Sequence, residues 1–315
     1  MQHLSSLFSI MTALAPVFIM IAIGYTITKL AIIPKQGISY LGTFVIKIAL
    51  PCMLFSSLAN LSFKEIYHPN YILTYALGSI LAFILTMLIA SKIRNKDMTT
   101  SAVIGIGSCF SNSGFIGYAI LTQVIGSAAI VPIALTLVVE SMIMLPIILA
   151  VADTTANTSS LRKTLLTTLS RLIKNPLIWS IVLGVLCSLI QYKPNTIMMS
   201  VIDKLGDTSG TIALLTIGGT LVGLQLKGMK TDIIQIMLSK LFLHPLLVLA
   251  VLLLTPKMPT VFYQTAILLA CMPMLSIYPI LGIKYGMENR CAAALVATTA
   301  LSFVTISLWS IFIGV

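Results

Sequence analysis

Apolar runs of membrane-spanning length follow one another along the chain, separated by short polar or turn-forming connections. A hydrocarbon core about 30 Å thick takes about 20 apolar residues per helix. Ten runs of that order occur, at 9–30, 37–59, 70–92, 101–125, 129–152, 176–192, 209–226, 233–255, 261–283 and 291–313. They predict ten transmembrane helices, numbered here 1 to 10. Runs six and seven are short and contain glycine, and runs four and nine are interrupted by polar residues or proline. The stretch before the first run lacks Lys and Arg and any small-residue cleavage site, which predicts the retained start of helix 1 rather than a leader. The one long connection is Asp153 to Asn175. There Leu161, Leu165, Leu169, Leu172 and Ile173 recur near helical period among Arg162, Lys163, Arg171 and Lys174. Two readings stay open for it: an amphipathic segment on an anionic leaflet, or a solvated linker.

Composition sharpens this picture. The 315 residues are 58% hydrophobic and only 9% charged, whereas a soluble domain carries roughly a quarter charged residues to dress its surface. That shortfall predicts an all-α integral membrane protein and excludes soluble nucleotide-binding enzymes, nucleic-acid modules and disulfide scaffolds. The net charge of +11 is scattered among apolar stretches, which suits membrane topology better than a nucleic-acid footprint. Thirteen Lys and Arg fall in the connections 1/2, 3/4, 5/6, 7/8 and 9/10, against four in the opposite set. Cations concentrate on the cytoplasmic side, so both termini are expected outside the cytoplasm. Cys52, Cys109, Cys187, Cys271 and Cys291 are isolated, as are His3, His68 and His244, so no metal site is expected.

The two halves of the chain resemble one another. Pro16 and Gly24 recur as Pro176 and Gly184, and Tyr118-Ala119-Ile120-Leu121 recurs as Tyr278-Pro279-Ile280-Leu281, both at an offset of 160. Leu41-Gly42 and Ile48-Ala49-Leu50 recur as Leu205-Gly206 and Ile212-Ala213-Leu214 at an offset of 164. An odd-numbered unit must insert its second copy upside down, which predicts two inverted five-helix repeats, residues 1–152 and 176–315, joined by a cytoplasmic linker at 153–175. Inverted repeats of this kind are characteristic of alternating-access transporters, whose sites lie near the midplane at discontinuous helices.

Helix 4 carries Ser111, Asn112, Ser113, Gly114 and Tyr118 where lipid would favour Leu and Val, and by helical rise Asn112 lies roughly 17 Å deep. Helix 9, entering from the other side, brings Pro273, Ser276 and Tyr278 to similar depth. Proline removes a backbone donor, and a broken helix survives in a bilayer only against protein or a water-filled cavity. Helices 4 and 9 are therefore expected to be broken and to cross near the midplane, aiming half-helix N-termini at an anionic group. Asn112 offers donor and acceptor there. The alternative is a simple kink with small residues easing helix packing. Two cations fall inside predicted helices, Lys47 and Lys240. Lys47 is expected to add positive potential to the cavity, whereas for Lys240 that role and snorkelling to the interface are both open. Glu140, the one carboxylate inside a predicted helix, must face a cavity or a partner. It is expected to serve proton coupling, a structural pair with a cation such as Lys47, or substrate contact.

The run Asn112-Ser113-Gly114-Phe115-Ile116-Gly117 followed by Tyr118-Ala119-Ile120-Leu121 resembles the helix-4 motif of the auxin efflux carrier family of bacterial permeases and plant PIN proteins: an Asn, a Gly five residues on, then usually Pro. Lys174-Asn175-Pro176-Leu177-Ile178, Leu50-Pro51, Lys240 to Pro245 and Met272-Pro273 are similar to that family as well. The resemblance spans all ten helices. It implies a scaffold of helices 1, 2, 6 and 7, a mobile transport unit of helices 3–5 and 8–10, and an organic anion held beside the crossing of helices 4 and 9. It also implies that the polar residue of helix 5 lies close to the site. Ala119 replaces the usual Pro, so the helix-4 break would rest on Gly114 and Gly117.

The expected function is a secondary active transporter of small organic anions, such as dicarboxylates or aromatic acids, by an elevator-type motion, with a membrane receptor for such an anion as the alternative. Its coupling ion would be a proton or sodium, or none. The expected setting is the plasma membrane, and a homodimer through the scaffold helices is left open. No phosphate-cradling loop, catalytic pair or metal constellation is found, so no enzyme, cofactor or nucleic-acid partner is expected.

Overall fold

The computed structural model describes residues 16, 19–155, 170, 173–220, 222–223, 230–275, 278–283 and 285–315. Among them the chain is helical, with no strand. The helices are α1 (Ile19–Lys29), α2 (Lys35–Ala59), the short α3 (Phe63–Ile66), α4 (Pro69–Leu88, continued to Ile93), α5 (Met98–Cys109) and α6 (Tyr118–Val124). They continue with α7 (Ile130–Val138, continued to Thr155), α8 (Pro176–Leu189), α9 (Thr196–Thr220), α10 (Lys230–Leu254), α11 (Thr260–Cys271), α12 (Tyr278–Ile283) and α13 (Glu288–Ile313). Among the described residues, five helical stretches are long and apolar enough to cross a membrane: Lys35–Ala59, Phe63–Ile93, Ser127–Ala152, Lys230–Leu254 and Asn289–Ile313. Shorter apolar helices accompany them at α1, α5, α8 and α11.

One expected boundary is corrected. Helix 7 was placed at 209–226, whereas α9 begins at Thr196. Asp203, Lys204 and Asp207 lie on its first turns and are exposed. Glu140 is consequently one of several helical carboxylates, Asp203, Asp207 and Asp232 among them. The expected amphipathic segment at 153–175 and the residue Ser276 lie largely or wholly outside the described residues.

Wide π-type turns interrupt three helices just before a proline: Val45–Ala49 before Pro51, Val139–Met144 before Pro146, and Ser239–Leu243 before Pro245. Proline has no N–H for the carbonyl four residues back, and widening the preceding turn lets that carbonyl find another donor. Lys47, Glu140 and Lys240 all sit in these turns.

The chain packs as two compact units. The first comprises residues 1–69, 114–135 and 172–223, and the second comprises 70–113, 136–171 and 224–315. Within the first, α1, α2, α8 and α9 meet backbone to backbone. A Cβ at Gly24 would strike Leu215 O, and one at Gly218 would strike Ile21 O, so α1 and α9 approach as closely as they do only because both positions lack a side chain. Asp203 of α9 accepts a hydrogen bond from Ser56 of α2. Within the second unit, α12 is seated on α5 by Tyr278, whose hydroxyl donates to Val103 O at 2.8 Å and fills the space a Cβ at Gly107 would need. The ends of α4, α10 and α13 are tied by Asp232. Its buried carboxylate lies 2.5 Å from Arg94, 3.4 Å from Lys96 and 3.3 Å from Arg290.

Candidate functional site

Two helices of the second unit stop in the protein interior. α5 ends at Cys109, after which Phe110 is extended at φ −98°, ψ 140°. α11 ends at Cys271 and gives way to Met272 at φ −63°, ψ 155°. Residues 110–112 and 272–275 are irregular, and Phe110, Ser111, Asn112, Met272, Pro273 and Met274 are all buried. Buried backbone must be paired, and here the two breaks pair with each other: Asn112 N–H donates to Pro273 O at 2.9 Å. The next polar group, Ser113, opens the wide turn Ser113–Gly117 that leads into α6. Ala119 in place of proline does not prevent this break, which lies at Phe110–Asn112 and not at Gly114 and Gly117, both of which fall inside that turn.

The polar groups left over by the breaks are met by buried side chains. Glu140 of α7 accepts the backbone N–H of Ser111 at 3.0 Å. It also accepts the Ser113 hydroxyl, which lies 3.1 Å from both carboxylate oxygens, and the Tyr75 hydroxyl at 3.3 Å. A carboxylate suits donors at the start of a helical turn, where N–H groups point outward. Lys240 of α10 does the complementary work at the end of α11. Its ammonium donates to Ala270 O at 2.6 Å, a last-turn carbonyl, and to Ser111 Oγ and His244 Nδ1 at 2.8 Å each. Because Lys can only donate, His244 accepts at Nδ1 and carries its proton on Nε2, which donates to Ser79 Oγ at 2.8 Å. Tyr71 extends the same face of α4 with a 2.7 Å bond to Thr136. Ser111 thus stands between the two charges, its amide on Glu140 and its hydroxyl on Lys240.

This arrangement bears on two readings that the sequence left open. The cation nearest Glu140 through shared partners is Lys240, four residues from His244, while Lys47 is exposed and belongs to the first unit. Nor does Lys240 snorkel: it is fully buried, because its three donors find three acceptors. Its donors are engaged by Ser111 Oγ, His244 Nδ1 and Ala270 O.

Of the candidate residues, Ser111, Asn112, Ser113, Pro273 and Glu140 come together in the second unit, whereas Gly114, Tyr118 and Lys47 belong to the first. Tyr118 lines a cleft of about 150 Å³ within the first unit, together with Thr122, Gln123, Asp207 and Thr211. Sequence reasoning missed Tyr75, Ser79 and His244. Their signal was present as helical spacing, Tyr71, Tyr75 and Ser79 four apart on α4 and Lys240 and His244 four apart on α10. Among the described residues no group of three His, Cys, Asp or Glu could hold a metal.

Comparison with known proteins gives a consistent result. The family model described as "Membrane transport protein" matches residues 9–310. The chain is 28% identical over 296 residues to a "Putative malonate transporter" of Rhizobium meliloti (strain 1021), covering 93% of this chain and 92% of that protein. It is 21% identical over 301 residues to an "Uncharacterized transporter" of Methanothermobacter thermautotrophicus, covering 94% of this chain and 95% of the other.

Proposed function

Because the chain belongs to the membrane transport protein family, that of the auxin efflux carriers, we propose that it is a secondary active permease for small organic anions, dicarboxylates of the malonate type foremost. The observation that carries this reading is the pairing of the two interior helix breaks by Asn112 N–H and Pro273 O. A bilayer-spanning protein retains such breaks where a polar ligand is handled. Asn112 then supplies the amide that recognises the carboxylate, and the turn Ser113–Gly117 supplies the positive end of a half-helix dipole. The name of the Rhizobium relative supports malonate over an aromatic acid.

In this reading the chain forms ten transmembrane helices as two inverted repeats in the plasma membrane, with both termini outside the cytoplasm. The anion moves by an elevator-type displacement of the unit that carries the breaks, driven by a proton or sodium gradient, and the protein works alone or as a homodimer. The test is uptake of labelled malonate and a panel of other anions into proteoliposomes under imposed pH and sodium gradients. Uptake by the wild-type chain is expected, and Asn112→Ala should lower it at least a hundredfold with folded yield unchanged. Binding without uptake would favour a receptor, and normal uptake by Asn112→Ala would overturn the site.

A further inference from the structure

Asn112 is flanked by two serines that answer to one carboxylate. Ser111 gives Glu140 its backbone N–H at 3.0 Å, and Ser113 gives it a hydroxyl at 3.1 Å from both oxygens. The irregular segment that carries Asn112 is therefore fastened at both ends to α7, while its middle is fastened by Asn112 N–H to Pro273 O. Irregular backbone in a buried setting has no ladder of its own to hold its geometry, so these three attachments hold the backbone at Asn112. Glu140 itself is held in place by Tyr75, and Ser111 by Lys240, so the grip is supported from α4 and α10.

We propose that Glu140 is a positioning residue for the anion site: it straps residues 111–113 so that Asn112 is pre-set to receive substrate, without itself touching the anion. The inference rests on the reading of Asn112 as the recognition residue. Three donors converge on Oε1 of Glu140. Glu140→Gln keeps an oxygen that can stand there but removes the charge that strengthens all three bonds. Hydrogen bonds to charged groups are the strong ones. The effect should appear as looser geometry of residues 111–113 and weaker anion affinity, not as loss of the fold.

Cys109, buried two residues before Ser111, reports on this segment. In a full-length chain in which Cys109 is the one cysteine left, its alkylation by a small maleimide is slow while the strap is closed. Glu140→Gln should speed that labelling at least about tenfold and weaken malonate binding by a similar factor, since about tenfold corresponds to one strong hydrogen bond. Saturating malonate should slow the labelling again. Ser113→Ala, which removes one attachment and keeps the charge, should show a smaller rise and carries the test if Glu140→Gln does not fold. Labelling at the wild-type rate in both variants would overturn the strap. Weaker binding with unchanged labelling would overturn it too, because Glu140 would then act on the anion directly. Faster labelling with unchanged affinity would sever the strap from substrate recognition. If the wild-type chain binds none of the anions, the reading of Asn112 fails, while the labelling comparison still decides whether Glu140 holds residues 111–113.

Discussion

Lys47 and Lys240 sit on the same local device in different units. Each lies in a π-type turn that a proline a few residues on has widened, Pro51 in one case and Pro245 in the other. Lys47 is exposed, and Lys240 is fully buried. The difference lies in what surrounds each turn. Around Lys240 stand Ser111 Oγ, His244 Nδ1 and the orphaned carbonyl of Ala270, three acceptors for three donors. A widened turn is thus only an opportunity. A buried charge becomes affordable where an interrupted helix leaves polar groups that need it.

The largest effect that separates the two sites comes from removing the charges. Lys240→Met removes a nearby charge from Glu140 and takes from Ser111 Oγ, His244 Nδ1 and Ala270 O the donor they share, and each buried polar group left unmet costs about 1–3 kcal/mol. Lys47→Met should stay within about 0.5 kcal/mol, as exposed substitutions do. Reversible denaturation in detergent, monitored by helical circular dichroism, measures both. A sharper version removes both charges: Lys240→Met with Glu140→Gln should be less damaging than Lys240→Met alone, because no unpaired ion remains. A double variant as unstable as the sum of its parts would mean that the two charges do not sense each other through Ser111.

The first unit should break by a different route, through shape. Gly24 and Gly218 let α1 and α9 touch by backbone, so Gly218→Val must push the helices apart. Overpacking of this kind costs about 1–3 kcal/mol, to be read in the same melts. A comparable substitution on a lipid-facing position of α9 should do almost nothing.

What the sequence disclosed follows the same division. Apolar periodicity located most helices within a few residues, since lipid imposes composition over whole turns. The interruptions were legible from Ser111, Asn112, Ser113 and Pro273, because polar residues and proline stand out in an apolar run. The start of α9 was not legible, because Asp203, Lys204 and Asp207 are exposed charges that interrupt the apolar run. Which cation stands near Glu140 was not legible for a different reason. Spacing along one helix is visible in a sequence, but the meeting of α4, α7 and α10 around Ser111 depends on tertiary packing. Lys240 and His244 could be seen as neighbours. That they close on α5 and α11 could not.

The smallest effect concerns a carboxylate at a helix start that is not buried in the interior. Asp97, exposed just before α5, caps that helix by accepting Thr100 N–H at 2.8 Å. The Thr100 side chain and then its backbone N–H hold the Asp97 carboxyl below the usual carboxylate range. An acid whose pKa is depressed on folding contributes stability above its unfolded pKa, near 4, and loses that contribution as pH falls through the lower folded value. Asp97→Ala should therefore cost about 1 kcal/mol at neutral pH, the usual worth of an N-cap. Melts of wild type and variant should converge as pH is lowered through and below 4, because protonation removes the charge from the wild-type cap as well. A difference that stayed constant across that window would mean that the cap acts through backbone geometry and not through its charge.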